Sequence, residues 1–259
     1  MYKRQVSHCV NDVLSVGGRP LAFLDYIAFG KVDSTILRQV ISSIARECRR
    51  YAIDFIGGET AELPGVYCQG EYDVVGFIIG VCEDGRLLDG SRIKEGDLIV
   101  GIPSNGLHTN GYSLARKVLL DSRKFNFEHI PPGWRTSIGR ALLKPHINYF
   151  NDVYPLHTRR LLKGIAHITG GGIAGNLKRI LPPGVDAHIR KGLWKIPPIF
   201  DLIAEQGPVE ESEMYKVFNM GIGMILITSP KNLSQVMKAL NKGIVIGEIV
   251  KGSGEVIMQ

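Results

Sequence analysis

This chain of 259 residues is notable first for what it lacks. It has no long hydrophobic run: the most apolar stretch, Val74 to Cys82, is far shorter than the roughly 20 residues that cross a bilayer. The N-terminal Lys3 and Arg4 are not followed by an apolar segment, so no signal peptide is read there. Its four cysteines, Cys9, Cys48, Cys68 and Cys82, stand far apart without a C-x-x-C pair. That excludes a redox dithiol and a disulfide scaffold, and the expectation is a reduced, soluble, cytoplasmic protein. No histidine falls at zinc spacing from a cysteine, and G-x-S-x-G and H-E-x-x-H are both missing. The basic residues form no dense run and accompany no nucleic-acid-binding pattern, so neither nucleic acid nor membrane is expected as a partner. The 31 glycines follow no collagen period.

What is present reads as a folded protein. Hydrophobic residues make up 44% and charged residues 22%, which excludes a disordered chain. The length suits one large domain or two modest ones. A net charge of +6, spread over the chain, suits small polyanions such as nucleotides.

Ile36, Val40, Ile41, Ile44 and Cys48 recur at helical spacing and predict a helix from Ser34 to Arg50, capped by Asp33 or Ser34. Asp54 to Ile56 predicts a short buried strand that enters a loop at Gly57-Gly58, and Tyr72 to Val81 a second buried strand. Further strands are expected at Asp97–Ile102, Ile165–Ile168, Gly223–Thr228 and Ile244–Val250. Helices are expected from near Gly111, after Gly172 until Pro182-Pro183, and at Ile199–Ala204, Met214–Phe218 and Leu233–Leu240. Residues 121 to 137 read as a surface excursion. Strands alternating with helices give an α/β (α+β) class. Turn signals at Glu83-Asp-Gly and Asp89-Gly place a boundary between domains 1–88 and 89–259.

Four polar, glycine-rich segments offer chemistry. In Cys9-Val-Asn11-Asp12 the hard oxygen donors suit magnesium, or equally a helix cap or turn. Gly57-Gly58-Glu59-Thr60-Ala-Glu-Leu-Pro-Gly65 permits close backbone approach to a ligand, or is a plain turn. Ser104-Asn-Gly-Leu-His108-Thr109-Asn110-Gly-Tyr-Ser113 puts a hydroxyl, a carboxamide and an imidazole into one strand-to-helix turn, which suits phosphate binding or proton handling. Thr169-Gly170-Gly171-Gly172 resembles an anion cradle but lacks the G-K-[ST] of a Walker loop. His167, inside the strand run, reads as a packed histidine.

Taken in order, these segments resemble the phosphoribosylformylglycinamidine cyclo-ligase (aminoimidazole ribonucleotide synthetase) family. Pro20 to Tyr26, Asp73 to Phe77, Asp89-Gly-Ser91 and Glu213 to Met224 also match, and Gly-Gly-Glu-Thr-Ala-Glu-Leu-Pro-Gly is specific to this branch of its superfamily. The resemblance implies a two-domain fold whose C-terminal domain is a mixed sheet flanked by helices. It implies ATP-dependent closure of formylglycinamidine ribonucleotide to aminoimidazole ribonucleotide, with ATP and Mg2+ required and a homodimer formed through the N-terminal sheet. Carried onto this sequence, it places His108 and Asn110 at the chemistry. Asp12 and Glu59 would serve the metal. Asn11, Gly57, Gly58 and Thr60, with Thr109, Ser113 and Thr169 to Gly172, would serve nucleotide and substrate. The family's Asp-Gly-x-Gly-Thr-Lys motif is missing, so the chain reads as shortened at its N-terminus, with an incomplete first domain and an unpaired sheet edge. The alternatives are a non-catalytic fragment or binding module, and another ATP-dependent member of the superfamily.

Overall fold

The structure is a computed structural model that describes residues 3–121 and 124–259. Contacts divide the chain into two units, Met1–Leu87 and Leu88–Gln259.

In the first unit α1 (Lys3–Ser15) is followed by β1 (Arg19–Phe29), α2 (Ser34–Arg50), β2 (Asp54–Glu62) and β3 (Tyr72–Val81). α1 forms because Val6, Val10 and Leu14 recur every fourth residue, and all three are fully buried. Asp33 caps α2: its Oδ1 accepts from the amides of Thr35 (2.8 Å) and Ile36 (3.1 Å). β1 lies between β2, to which it is parallel, and β3, to which it is antiparallel. Both helices pack on this sheet, α1 on β1 and β3 and α2 on β2. Phe23 and Ile27 of β1 face them and are fully buried. Burial pushes the Cys9 thiol up to about 11 and the Cys48 thiol up to about 12, so neither is a ready nucleophile.

Three sequence expectations change here. Cys9-Val-Asn11-Asp12 is neither cap nor turn but the interior of α1. β2 does not end at Ile56; it runs through Gly57-Gly58 to Glu62, largely exposed. A β-bulge explains why the pattern misled: the pairing steps from Phe23↔Phe55 to Leu24↔Gly57, and Gly57 absorbs the irregularity at φ +124°, a conformation only glycine takes readily. β3 is not buried but two-sided, with Val75, Phe77 and Ile79 exposed at alternate positions.

The second unit contains β4 (Leu98–Pro103), α3 (Tyr112–Arg116) running into a π-helical turn (Lys117–Asp121), α4 (Ile138–Leu142), α5 (Phe150–Thr158) and β5 (Gly164–His167). Then come α6 (Gly172–Lys178), β6 (Val185–Ile189), α7 (Pro198–Gln206), α8 (Glu211–Val217), β7 (Ile222–Thr228), α9 (Pro230–Ala239), β8 (Ile244–Lys251) and β9 (Val256–Met258). The sheet order is β5-β7-β4-β8-β6-β9, antiparallel except for the β6–β9 pair. Every residue of β7 is buried, as its unbroken apolar run demands of a strand covered on both faces. One core packs Ile225, Ile227, Ile246 and Ile249 against Ile173 and Leu177 of α6. The other packs Phe200, Ile203, Met214 and Phe218 against Leu107 and Leu119. Within 124–137 there is neither helix nor strand, and 122–123 lie outside the described residues. No helix among the described residues is long and apolar enough to cross a membrane.

Candidate functional site

Strand direction builds the site in the second unit. β4 and β5 both run antiparallel to β7, so the loops leaving β4 and β5 and the segment entering β7 share one end of the sheet. The β4 loop carries Ser104 to Gly111, the β5 loop Thr169 to Gly172, and the entry to β7 is Asn219-Met-Gly221.

A buried carboxamide ties the first and third together. Asn219 Oδ1 accepts from Ser104 Oγ (2.7 Å) and from the Gly221 amide (2.9 Å), while its Nδ2 donates to Gly106 O (2.8 Å). In the β5 loop the equivalent brace is Asn176, one turn into α6. Its Nδ2 donates to Gly172 O (2.8 Å), with Gly170 O at 3.2 Å, and its Oδ1 accepts from Thr169 Oγ1 (3.2 Å). The amides of Gly170 and Gly171 form no backbone hydrogen bond with a described residue, which leaves them available to an anion. Gly172 sits at φ +63°, and a Cβ there would collide with the Tyr215 carbonyl oxygen, so only glycine closes this loop.

Three imidazoles gather between the loops. His146 and His167 are buried with their Nε2 atoms 3.0 Å apart, so one ring donates and the other accepts. His108 stacks on His146 at 4.1 Å between centroids, and Thr109 Oγ1 lies 3.4 Å from His146 Nδ1. His108 holds φ +61°, a left-handed conformation that costs an L residue about 1–2 kcal/mol. Tyr112 and Tyr149 fix the frame: Tyr112 Oη donates to Leu142 O (2.6 Å), and Tyr149 Oη to Pro103 O (2.9 Å). Burial raises the Tyr149 phenol, which stays a neutral donor. A Cβ at Gly223 would overlap Tyr149 Oη and press on His108, which accounts for the glycine-spaced Met220-Gly-Ile-Gly-Met224. Beside the glycine loop a cavity of about 600 Å³ opens, walled by Gly171, Gly175, Lys191, Tyr215, Lys216 and Met258. Lys191 spans it, 3.0 Å from Glu211 and 5.5 Å from the Tyr215 ring centre.

Two profiles of the AIR synthase related proteins match the chain, the N-terminal domain over residues 3–82 and the C-terminal domain over 94–259. The chain belongs to this family. A phosphoribosylformylglycinamidine cyclo-ligase of Thermoanaerobacter pseudethanolicus is 47% identical over 257 residues, 98% of this chain and 76% of the relative. One of Syntrophus aciditrophicus is 47% identical over 254 residues, 96% of this chain and 73% of the relative. Among solved structures, the hydrogenase maturation protein HypE in complex with ATP covers 99% of this chain and 75% of its own, with a TM-score of 0.74 at 18% identity. A thiamine monophosphate kinase from Aquifex aeolicus covers 100% of this chain and 80% of its own, with a TM-score of 0.67 at 19% identity. At such identities these two establish the shared fold.

Of the residues singled out in the sequence, Asn110 meets Gly170 across the two loops, while His108 and Thr109 reach His146, which bonds His167 at the end of β5. Asn110 Nδ2 donates to Thr109 Oγ1 (3.3 Å), and its Oδ1 borders Gly170. Ser113 lies in the first turn of α3, and Gly171-Gly172 open α6. In the first unit the candidates separate. Asn11 is wholly buried in α1, whereas Asp12 is exposed and its Oδ2 lies 3.3 Å from His8 Nε2. Gly57, Gly58, Glu59 and Thr60 lie in β2, and Gly58 is where the Asp25 carbonyl comes too close for any side chain. Glu59 is in register with Tyr26, which is in register with Val75, so it belongs to the open face of the sheet. α1 packs on the other face, against Gly76. Asp12 and Glu59 are therefore not neighbours within the unit. The sequence reading overlooked His146, Asn176 and Asn219. His146 follows a proline in an irregular segment and carries no pattern. A polar residue on the apolar side of α6, between Ile173 and Leu177, was a readable sign for Asn176.

Proposed function

We propose that this chain is an ATP-dependent ligase of purine biosynthesis, closing the imidazole ring of aminoimidazole ribonucleotide from formylglycinamidine ribonucleotide. The observation that carries this reading is the meeting of the His108–Ser113 and Thr169–Gly172 loops in a chain 47% identical, over 98% of its length, to a named cyclo-ligase.

The chemical obstacle is an amide carbonyl, which is a poor electrophile. Transfer of the ATP γ-phosphoryl to its oxygen makes an iminophosphate and turns that oxygen into a leaving group. The amidine nitrogen of the same molecule then attacks the carbon, and phosphate departs carrying the former carbonyl oxygen. Attack within one molecule gains much of its rate from proximity, with up to about 7–11 kcal/mol available to a well-aligned pair. The protein's part is to align the groups and to balance charge on the phosphoryl oxygens. The amides of Gly170 and Gly171 are placed to hold phosphate oxygens, and Asn176 keeps them pointed. His108 and Asn110 line the reacting side, where His108 steadies developing negative charge or takes the amidine proton. Lys191 and Lys216 offer positive charge to the ribose phosphate.

Asp12 and Glu59 would hold Mg2+, which would supply positive charge against the phosphates. The donor set fits it: Asp12 and Glu59 are exposed carboxylates, the hard ligands magnesium prefers, and it commonly takes only one or two of them together with phosphate. Because they lie on opposite sides of the sheet, we assign one carboxylate per ion within a chain.

We further assign a homodimer to the open face of the first sheet, where Phe77 and Ile79 are 56% and 51% exposed. The cytoplasm fits four free cysteines.

ADP release from Mg-ATP tests the activity. Formylglycinamidine ribonucleotide should stimulate it while thiamine monophosphate does not. Stimulation by thiamine monophosphate, or none by the ribonucleotide in a folded sample, would refute the reading.

A further inference from the structure

The opposite end of the second sheet carries a second cavity. Asp97 precedes β4, Lys163 precedes β5 and Ser229 follows β7, so antiparallel pairing brings all three to the end away from the histidines. They wall a cavity of about 750 Å³ that is rich in positive charge. Of its two acids, Asp97 is already committed: Lys163 Nζ holds both of its oxygens, at 2.6 and 2.7 Å, and the Lys94 amide donates to it as well. Arg159 donates to Gln235. Arg92, Lys94, Arg159, Arg160 and Lys231 form no ion pair with a described residue, and Glu95 is the other carboxylate on the wall.

Two details mark this wall as more than a charged surface. Ser229 stands at the N-cap of the ten-residue helix α9 with the extended backbone of a capping residue, yet its hydroxyl makes no capping hydrogen bond. The residue is only 9% exposed, lines the cavity, and its buried Oγ has no hydrogen-bond partner at all. Such a group ordinarily finds one. It stands at an end of α9 where the Lys231 amide also has no backbone acceptor among the described residues. Arg160 is the second detail. It occupies the left-handed position after α5, at φ +56°, closing the helix with Arg160 N to His157 O and Leu161 N to Leu156 O. Glycine is the usual residue at that position, because a Cβ is strained there. Here a guanidinium stands in its place, on the cavity wall.

We propose that this cavity is a second anion site, separate from the one at the glycine loop, and that it takes a small polyphosphate: inorganic pyrophosphate or the phosphate chain of a nucleotide. Arg160 and Lys231 supply charge-assisted contacts, and Ser229 Oγ with the α9 N-terminus supplies neutral donors.

The test is isothermal titration of pyrophosphate into the full chain at low ionic strength, without ribonucleotide substrate. Wild type should bind. Arg160→Gly should bind about tenfold more weakly, as expected for loss of one charge-assisted contact, and Ser229→Ala several-fold more weakly. Arg160→Gly removes backbone strain, so it should melt no lower than wild type, and a weakened isotherm cannot be blamed on unfolding. Pyrophosphate affinity unchanged in both variants would overturn the proposal, whatever the chain's enzymatic activity.

Discussion

The two sheets of this protein differ in how they are covered. In the second unit β7 is buried along its whole length, and the loops at its N-terminal end are braced by Asn176 and Asn219. In the first unit helices cover one face only, and Val75, Phe77 and Ile79 line up on the other. A sheet whose central strand is covered on both faces holds the loops at its end in place by itself. A half-covered apolar sheet is stable and soluble in the long run only against something else. Under the proposed function, this contrast assigns the braced substrate loops to the second unit, and the metal carboxylates and the proposed dimer face to the first.

The sharpest way to break the contrast is to charge the open face. Phe77→Asp should raise the dissociation constant of the proposed dimer by about 100-fold or more, since an aromatic that association would bury is exchanged for an unpaired carboxylate. Sedimentation equilibrium reads this out, and a monomeric wild type would remove the association half of the comparison. Next comes the closure of the glycine loop. Gly172→Ala forces a methyl group against the Tyr215 carbonyl at a positive φ, so it should cost about 2–4 kcal/mol of stability and abolish ATP-dependent turnover. Wild-type turnover in that variant would mean the loop is not held as described.

The position of the acids gives a finer test. Asp12→Asn and Glu59→Gln should each lower turnover strongly, and their effects on log turnover should add in the double variant, because the two lie on opposite faces of their sheet. Overlapping losses in a cycle of the four enzymes would instead place both on one ion. The smallest effect is expected at Asp186, a β6 residue whose carboxylate holds the turn between β8 and β9. Its Oδ1 accepts from the amides of Ser253, Gly254 and Glu255, which hold its carboxyl below the ordinary 3.8. A depressed folded-state value adds stability above 3.8 that is lost as pH falls through the folded value. Asp186→Asn should therefore melt lower than wild type at neutral pH, and the gap should close in acid. A gap independent of pH would show that charge at Asp186 is not what holds the turn.

Much of this was legible beforehand where one pattern ruled. The 3.6-residue spacing of Val40, Ile44 and Cys48 and the side chain of Asp33 locate α2, and the apolar run of β7 is as buried as it reads. The glycine loop and the His108 turn were marked by composition alone. Where two demands overlapped, the pattern failed. β1 has helices on one side and an open apolar surface on the other, so it shows no alternation of polar and apolar residues to reveal it. The bulge at Gly57 disguised the continuation of β2 as a loop. His146 became visible only when the fold brought a residue from an irregular segment to within 3.0 Å of His167.

The most direct test of the account uses formylglycinamidine ribonucleotide labelled with oxygen-18 in its amide carbonyl. Incubated with the chain and Mg-ATP, it should yield aminoimidazole ribonucleotide, ADP and phosphate in equal amounts, with the label in the phosphate. ADP with unlabelled phosphate and no imidazole would contradict the assignment of ring closure through the carbonyl oxygen.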